Sequence, residues 1–380
     1  MEQRGTTVVP LADLDDLRAL VARPGPFLTS YLAFQPATEA LAREIDLRWQ
    51  AQRRDLAAAG ADEGRLAVVD GVLGGAHRDG AGLAVVAPRT GDPLVERLVT
   101  PPLEGAAWGA VPALRPLIAL RQRHAAHVVA LVDRTGADLR GWRDGEVVAD
   151  AVETTVSGDD APVRKVATGG WSQRRFQQRA EDSWLHNMGQ VAADVAALTD
   201  RVRARVVAIG GDERAVGLLV DALPRVVREC VHRIAVTRAA DGSGSRLDEE
   251  VATELHRWTA DRVAAVLALH AEESGQADRA AGGAGRTVEA VRQARVAVLL
   301  VAESGPTDDQ REVWVGATAD QVATSPGDLP SPDDRRAAPL LDAAVVAALS
   351  SGADVVVVPR ADDGAPPPAL RDGLGALLRW

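Results

Sequence analysis

Apolar positions along the chain switch between helical and strand spacing, and the switches mark its elements. Leu14, Leu17, Leu20 and Val21 share one side of a helix predicted over 11–21, which Pro24-Gly25-Pro26 ends. A strand is predicted from Phe27 to Phe34, then a long polar-faced helix from Ala37 to Ala59 and a buried strand at 83–86. The stretch Pro112 to Pro116 starts a short segment leading onward. Three strands follow, at 127–132, 137–142 and 146–151, the last two separated by the turn signal Arg143-Asp144-Gly145. A loop over 154–168 leads into a helix predicted from about Trp171 to Thr199. Beyond it come a strand at 206–209, a helix from Asp212 to Leu223 and a strand at 233–236. The rest reads as a long helix at 247–273, a helix at 287–294, a strand at 296–301, a helix at 339–349 and a strand at 355–358. The strands at 296–301 and 355–358 are unbroken Val/Leu/Ala runs, the pattern of strands covered on both faces.

This order predicts an α/β chain of three domains: 1–124, 125–243 around a mixed sheet, and 244–380 as a small α/β sandwich. Its 380 residues and 46% hydrophobic content suffice for that many cores, and a 3% aromatic share means Val, Leu and Ala fill them. The single Cys230 excludes an internal disulfide and reads as a small core residue. A chain with one cysteine fits a reducing, cytoplasmic setting, and no apolar run approaches the ~18 residues that span a bilayer, so no membrane partner is expected. The net charge of -11 excludes a general DNA-coating protein, but not an RNA partner met through one local patch.

Such a patch exists. From Pro162 to Arg179 there are five basic residues (Arg164, Lys165, Arg174, Arg175 and Arg179) and no acidic one, and Lys165 is the only lysine of the chain. Within it Gly169-Gly170 permits backbone angles closed to other residues, and Trp171 or Ser172 opens the helix, with Ser172 its candidate N-cap. Free N–H groups at a helix start attract phosphate oxygens. Trp171 offers a face for stacking on a base or sugar, and the arginines offer phosphate contacts. Arg175 and Arg179 stand four apart, and Asp182 can pair with Arg179 along the helix, which leaves Arg174 and Arg175 freer to meet an outside anion. Phe176 reads as core.

The run Gly169-Gly170-Trp171-Ser172-Gln173-Arg174-Arg175-Phe176 resembles the Gly-Gly-Gln-Ser-x-x-Arg-Phe signature of archaeal and eukaryotic peptide release factors and their Pelota relatives. Within that superfamily it is similar to the bacterial offshoot that includes Balon-type ribosome hibernation factors and mycobacterial relatives. Gly285-Arg286-Thr287-Val288-Glu289-Ala290-Val291, the run Gly352 to Val358 and the terminal Gly373 to Trp380 resemble the opening and closing elements of the superfamily's third domain, a fold shared with ribosomal protein L7Ae. The resemblance covers 125–243, as a release-factor domain 2-like unit, and 244–380, and covers the first 124 residues poorly.

The resemblance implies a ribosome-binding factor that occupies the A site and turns Gly169–Arg179 toward the peptidyl transferase centre of 23S rRNA. An elongation-factor GTPase is an implied further partner, and no cofactor is implied. In release factors the Gln of the Gly-Gly-Gln motif helps place the hydrolytic water. Trp171 stands at that position, and an indole has one N–H donor and no acceptor. Translation silencing or hibernation without hydrolysis, a stress response, is therefore the expectation, with no catalytic residue. The alternative is peptidyl-tRNA hydrolysis for ribosome rescue through backbone groups of Gly169, Gly170 and Trp171, whose N–H remains to stabilise an oxyanion. The Asn-Ile-Lys-Ser loop by which eukaryotic release factors read stop codons is absent, since the sole lysine is at 165.

Other candidates are weaker on their residues alone. Ile209-Gly210-Gly211-Asp212 ends a strand and opens a helix, where dinucleotide folds hold phosphate, but lacks the full fingerprint. His124 and His127, three apart, lack further ligands for a metal, and His186 reads as a surface or packing side chain.

Overall fold

A computed structural model of the chain describes residues 9–34, 39–75, 80–133, 136–147, 150–155, 172–236, 244–276, 279–304, 311–360 and 370–380. The first part runs α1 (Asp15–Val21), β1 (Phe27–Ala33), α2 (Glu39–Ala58), α3 (Glu63–Gly75), β2 (Gly82–Ala87), β3 (Leu94–Leu98), β4 (Gly105–Gly109) and α4 (Arg115–Arg123). The middle part holds β5 (His127–Asp133), β6 (Gly136–Trp142), β7 (Asp150–Thr155), α5 (Ser172–Val202), β8 (Val206–Gly211), α6 (Glu213–Ala222), α7 (Arg225–Arg228), β9 (Val231–Arg233) and α8 (Gly244–Gln276). The last part holds β10 (Ala280–Gly282), α9 (Ala284–Arg292), β11 (Val296–Ala302), β12 (Glu312–Val315), β13 (Val322–Ala323), β14 (Arg336–Pro339), α10 (Leu340–Ser350), β15 (Asp354–Val358) and β16 (Leu374–Leu378). The chain is a mixed α/β protein built on four sheets, ordered β3-β2-β1-β4, β7-β6-β5-β8-β9, β10-β16-β11-β15 and β13-β12-β14 among the described residues.

By contact the chain forms two units, one of residues 1–123 with 259–380 and one of residues 124–258. In the first unit a single apolar cluster takes Leu17, Leu20, Tyr31 and Leu117 from one end of the chain and Val291, Leu299, Val345, Leu349 and Val355 from the other. Helix α10 explains why. Every residue from Leu340 to Leu349 is buried, so the helix has no face for water and must be covered all round. Its one charged member, Asp342, is met by Arg115 of α4. Gln122 of the same helix serves the open side of β15: its Nε2 donates to the Val355 carbonyl (3.0 Å), and Val357 N–H donates to its Oε1 (3.2 Å). A side-chain amide thereby takes the place of a neighbouring strand at the sheet edge.

Several boundaries differ from the sequence reading. The strand predicted at 146–151 lies four residues later, as β7, because Arg143 and Glu146 bond to one another (Glu146 N–H to Arg143 O, 3.1 Å) and lengthen the turn. The strand predicted at 233–236 is β9, ending at Arg233, although Ile234 and Val236 are still buried in a core. Helices α3, α4 and α7 and strands β3, β4, β10, β12–β14 and β16 add to the predicted set. The long helix α8 starts within the second unit, where Val251, Leu255 and Trp258 pack against Val129, Val206 and Ala208.

Candidate nucleic-acid interface of the central unit

The sheet β7-β6-β5-β8-β9 fixes where the basic segment departs. Strand β6 pairs antiparallel with β5 (Asp133↔Gly136) and with β7 (Gly136↔Thr155), while β8 pairs parallel with β5 (Val132↔Gly211). The carboxyl ends of β7, β5 and β8 therefore share one edge. The chain leaves that edge at Thr155 and is next described at Ser172, the first residue of α5. Arg164, Lys165, Gly169, Gly170 and Trp171 lie outside the described residues. Ser172, Gln173, Arg174, Arg175 and Arg179 form the first turns of α5, with side chains outside the description, as are those of Phe176, Asp182 and His186.

Helix α5 is anchored by its second half. Met188, Val191, Ala192, Val195, Leu198 and Val202 recur at helical spacing and pack on Val128, Ala130, Val132 and Leu139 of the sheet. At the far end Gly141 lets the helix approach: a Cβ there would stand 3.0 Å from Leu198 Cδ1 and 3.1 Å from Val202 Cγ1. Arg203 in the left-handed region (φ 55°) ends the helix, and Ala204 N–H returns to Thr199 O at 2.8 Å. At 31 residues the helix is about 46 Å long, whereas strands of six or seven residues run about 20–23 Å. Ser172, Gln173, Arg174, Arg175 and Arg179 all fall within the first eight residues of this helix.

At the same edge, Gly210-Gly211-Asp212 has a packing role. A Cβ on Gly211 (φ 130°) would fall 1.8 Å from Val132 O, and one on Gly210 would fall 2.7 Å from Val236 O. The N-terminus of α6 is filled by the chain's own carboxylate: Asp212 accepts from Arg214 N–H (3.0 Å) and Ala215 N–H (3.1 Å). A phosphate has no room to repeat those bonds, which answers the dinucleotide reading of this Gly pair.

The opposite end of the sheet is tied by charge. Asp144 accepts from Ala126 N–H (2.6 Å) and from Arg205 (2.5 Å). His127 stacks on Trp142, with ring centres 4.7 Å apart and planes 10° apart. Burial lowers its pKa below the ordinary value, against the opposing influence of the Ala125 carbonyl and of Asp144. Glu254 is buried at the junction of His232 and Arg257. Burial pushes its carboxyl up, but bonds from Arg257 and His232 outweigh that and hold it below the ordinary carboxylate range. Among the described residues no group of three or more His, Cys, Asp or Glu could hold a metal, and His127 is engaged as a stacked ring. Cys230 is only partly buried, at the margin of the α5 core. No described helix is long and apolar enough to cross a membrane.

Residues 126–276 match the model of bacterial archaeo-eukaryotic release factor family 2. That span holds the sheet, α5 with its basic head, and α8. It is similar to the Mycobacterium tuberculosis protein Rv2629, with 29% identity covering 96% of each chain. Among solved structures it is similar to archaeal Pelota in a model of ribosome-bound Pelota and ABCE1 (14% identity, TM-score 0.39, 98% of this chain and 95% of the other). It is also similar to Saccharomyces cerevisiae Dom34, a translation termination-like factor (8% identity, TM-score 0.40, 98% and 94%).

Proposed function

We propose that this chain is a cytoplasmic ribosome-binding factor that enters the A site and presents Gly169–Arg179 to the 23S rRNA of the peptidyl transferase centre. It silences translation there, as a hibernation factor does under stress, without hydrolysing peptidyl-tRNA. One observation carries the reading: the acid-free basic stretch 162–179 sits inside the release-factor match and runs into the long helix α5. Arg164, Lys165, Arg174, Arg175 and Arg179 contact phosphates, and Trp171 stacks where a release factor has Gln. Because Trp171 lacks an acceptor, the segment binds and does not position water. An elongation-factor GTPase is a further partner in this reading. The segments 1–124, 125–243 and 244–380 are proposed as its three functional parts, the last L7Ae-like.

Two assays on the full chain test the proposal. In cosedimentation with 70S ribosomes, Arg174→Glu with Arg175→Glu is expected to weaken binding at least tenfold, and the wild type to lose affinity steeply with salt. In single-turnover release of labelled peptide from stalled ribosomes, inhibition of translation with no release is expected. Release that disappears when Gly169 and Gly170 become Ala would establish the hydrolase instead. Unchanged cosedimentation of the double variant at low salt would remove the basic-segment argument.

A further inference from the structure

We propose that the first unit carries a nucleotide-binding cleft that grips phosphate. The cleft has a volume of about 510 Å³, within the range of small-molecule sites. The turn after α1, the end of β4 and the β12–β14 sheet form its walls. Gly25 allows the first two to meet, since a Cβ there would stand 2.6 Å from Ala110 O.

Three arginines line it, Arg23, Arg89 and Arg336, with Asp334 the only acidic residue of the lining. All three are exposed. Arg23 NH1 donates to the Asp92 carbonyl (2.7 Å), and Arg336 NH1 donates to the Asp333 and Arg335 carbonyls (2.8 and 2.9 Å). Arg89 has no partner among the described residues. Neutral carbonyls orient a guanidinium without cancelling its charge. Elsewhere in the unit Arg18, Arg48, Arg53 and Arg121 each pair with a carboxylate, while Arg54, Arg65, Arg295, Arg335 and Arg379 bond to carbonyls but do not line this cleft. A chain of net charge -11 thus gathers three cations around one concavity with a single carboxylate, Asp334, in its lining. Guanidinium forks match phosphate oxygens two at a time. The half-buried indole of Trp108 and Pro26 supply an apolar wall of the kind a base needs. Three cations against one anion, beside an aromatic wall, fit a nucleotide better than a lone inorganic anion or an apolar ligand.

The same chemistry is offered by a free nucleotide and by one residue of single-stranded RNA. Every residue involved lies outside 124–258, so the cleft stands independently of the proposed role of the basic segment. The test is fluorescence anisotropy on the full chain with methylanthraniloyl-GDP and, in a second arm, fluorescein-labelled oligouridine. The wild type and Arg54→Glu, a surface arginine outside the cleft, are expected to bind saturably. Arg89→Glu with Arg336→Glu is expected to bind at least tenfold more weakly with an unchanged thermal melt, and inorganic pyrophosphate to compete. Should the double variant unfold, Arg89→Ala, which removes a guanidinium without any partner among the described residues, is expected to lose about threefold. Cleft-dependent binding of GDP alone identifies a free nucleotide, and cleft-dependent binding of oligouridine identifies RNA. Failure of both probes to saturate, or equal affinity in the cleft variants, overturns the proposal.

Discussion

Arg115 Nε and Asp342 Oδ1 lie 2.7 Å apart, with the two side chains 0% and 2% exposed. A second contact, Arg115 NH2 to Asp342 Oδ2, is 3.3 Å, while Arg115 NH1 is buried without a partner. The pair joins positions 227 residues apart in sequence and stands inside the cluster shared by both ends of the chain. Removing one member leaves a buried charge without its counter-ion, whereas removing both leaves none. Asp342→Ala is expected to destabilise the first unit by about 3–5 kcal/mol, and Arg115→Met with Asp342→Leu to recover most of that loss. Urea midpoints of the single and double variants, taken as a cycle, measure the coupling. Additive losses would show that the pair is not the tie described.

Gly211 separates a packing glycine from a ligand-binding one. Its φ of 130° and the 1.8 Å from a built Cβ to Val132 O leave no space for a side chain. Gly211→Ala is expected to cost more than about 3 kcal/mol and to be recovered largely insoluble. A soluble variant with a wild-type melting temperature would mean that β8 and β5 can part at that edge, and the case against a phosphate site there would weaken.

What the sequence discloses follows from how local each signal is. β5, β8, β11 and β15 are legible because a strand covered on both faces is an unbroken apolar run. β3, with its alternating half-exposed positions, and the four-residue β12 and β14 give almost no pattern to read. Helix α4 is hidden by Pro112 and Pro116, which read as punctuation although Pro116 fits the first turn of a helix. Nothing near Arg115 announces Asp342, and nothing near Gly210-Gly211 announces Val132 and Val236, because those contacts exist only once distant strands have met. The basic stretch 162–179 was legible by composition alone. The shared edge from which it departs was not, since that depends on the register of β5, β6, β7 and β8.

The anchoring of α5 yields its own test. Leu198 is wholly buried and sits over Gly141, so Leu198→Ala opens a cavity at the end of the helix that holds the basic head in place. A loss of about 2–5 kcal/mol is expected by chemical denaturation. A loss well under 1 kcal/mol would show that the end of α5 is not a fixed anchor.

Acid should act on the second unit in two steps. Burial holds His127 below its ordinary value of 6.5, so between that value and its lower folded value the unfolded chain binds the extra proton. The stability His127 contributes is fully present above pH 6.5 and is lost as pH falls toward the folded value. Glu254, held below 4.5 despite burial by Arg257 and His232, contributes stability above pH 4.5 that is lost as pH falls through its own folded value. Melting temperatures followed from pH 8 to pH 3 are expected to decline first below pH 6.5 and again below pH 4.5. His127→Phe keeps a ring against Trp142 and removes the titrating group, so it should abolish the first decline and leave the second. A His127→Phe profile that still falls between pH 6.5 and pH 5 would assign that step to another group.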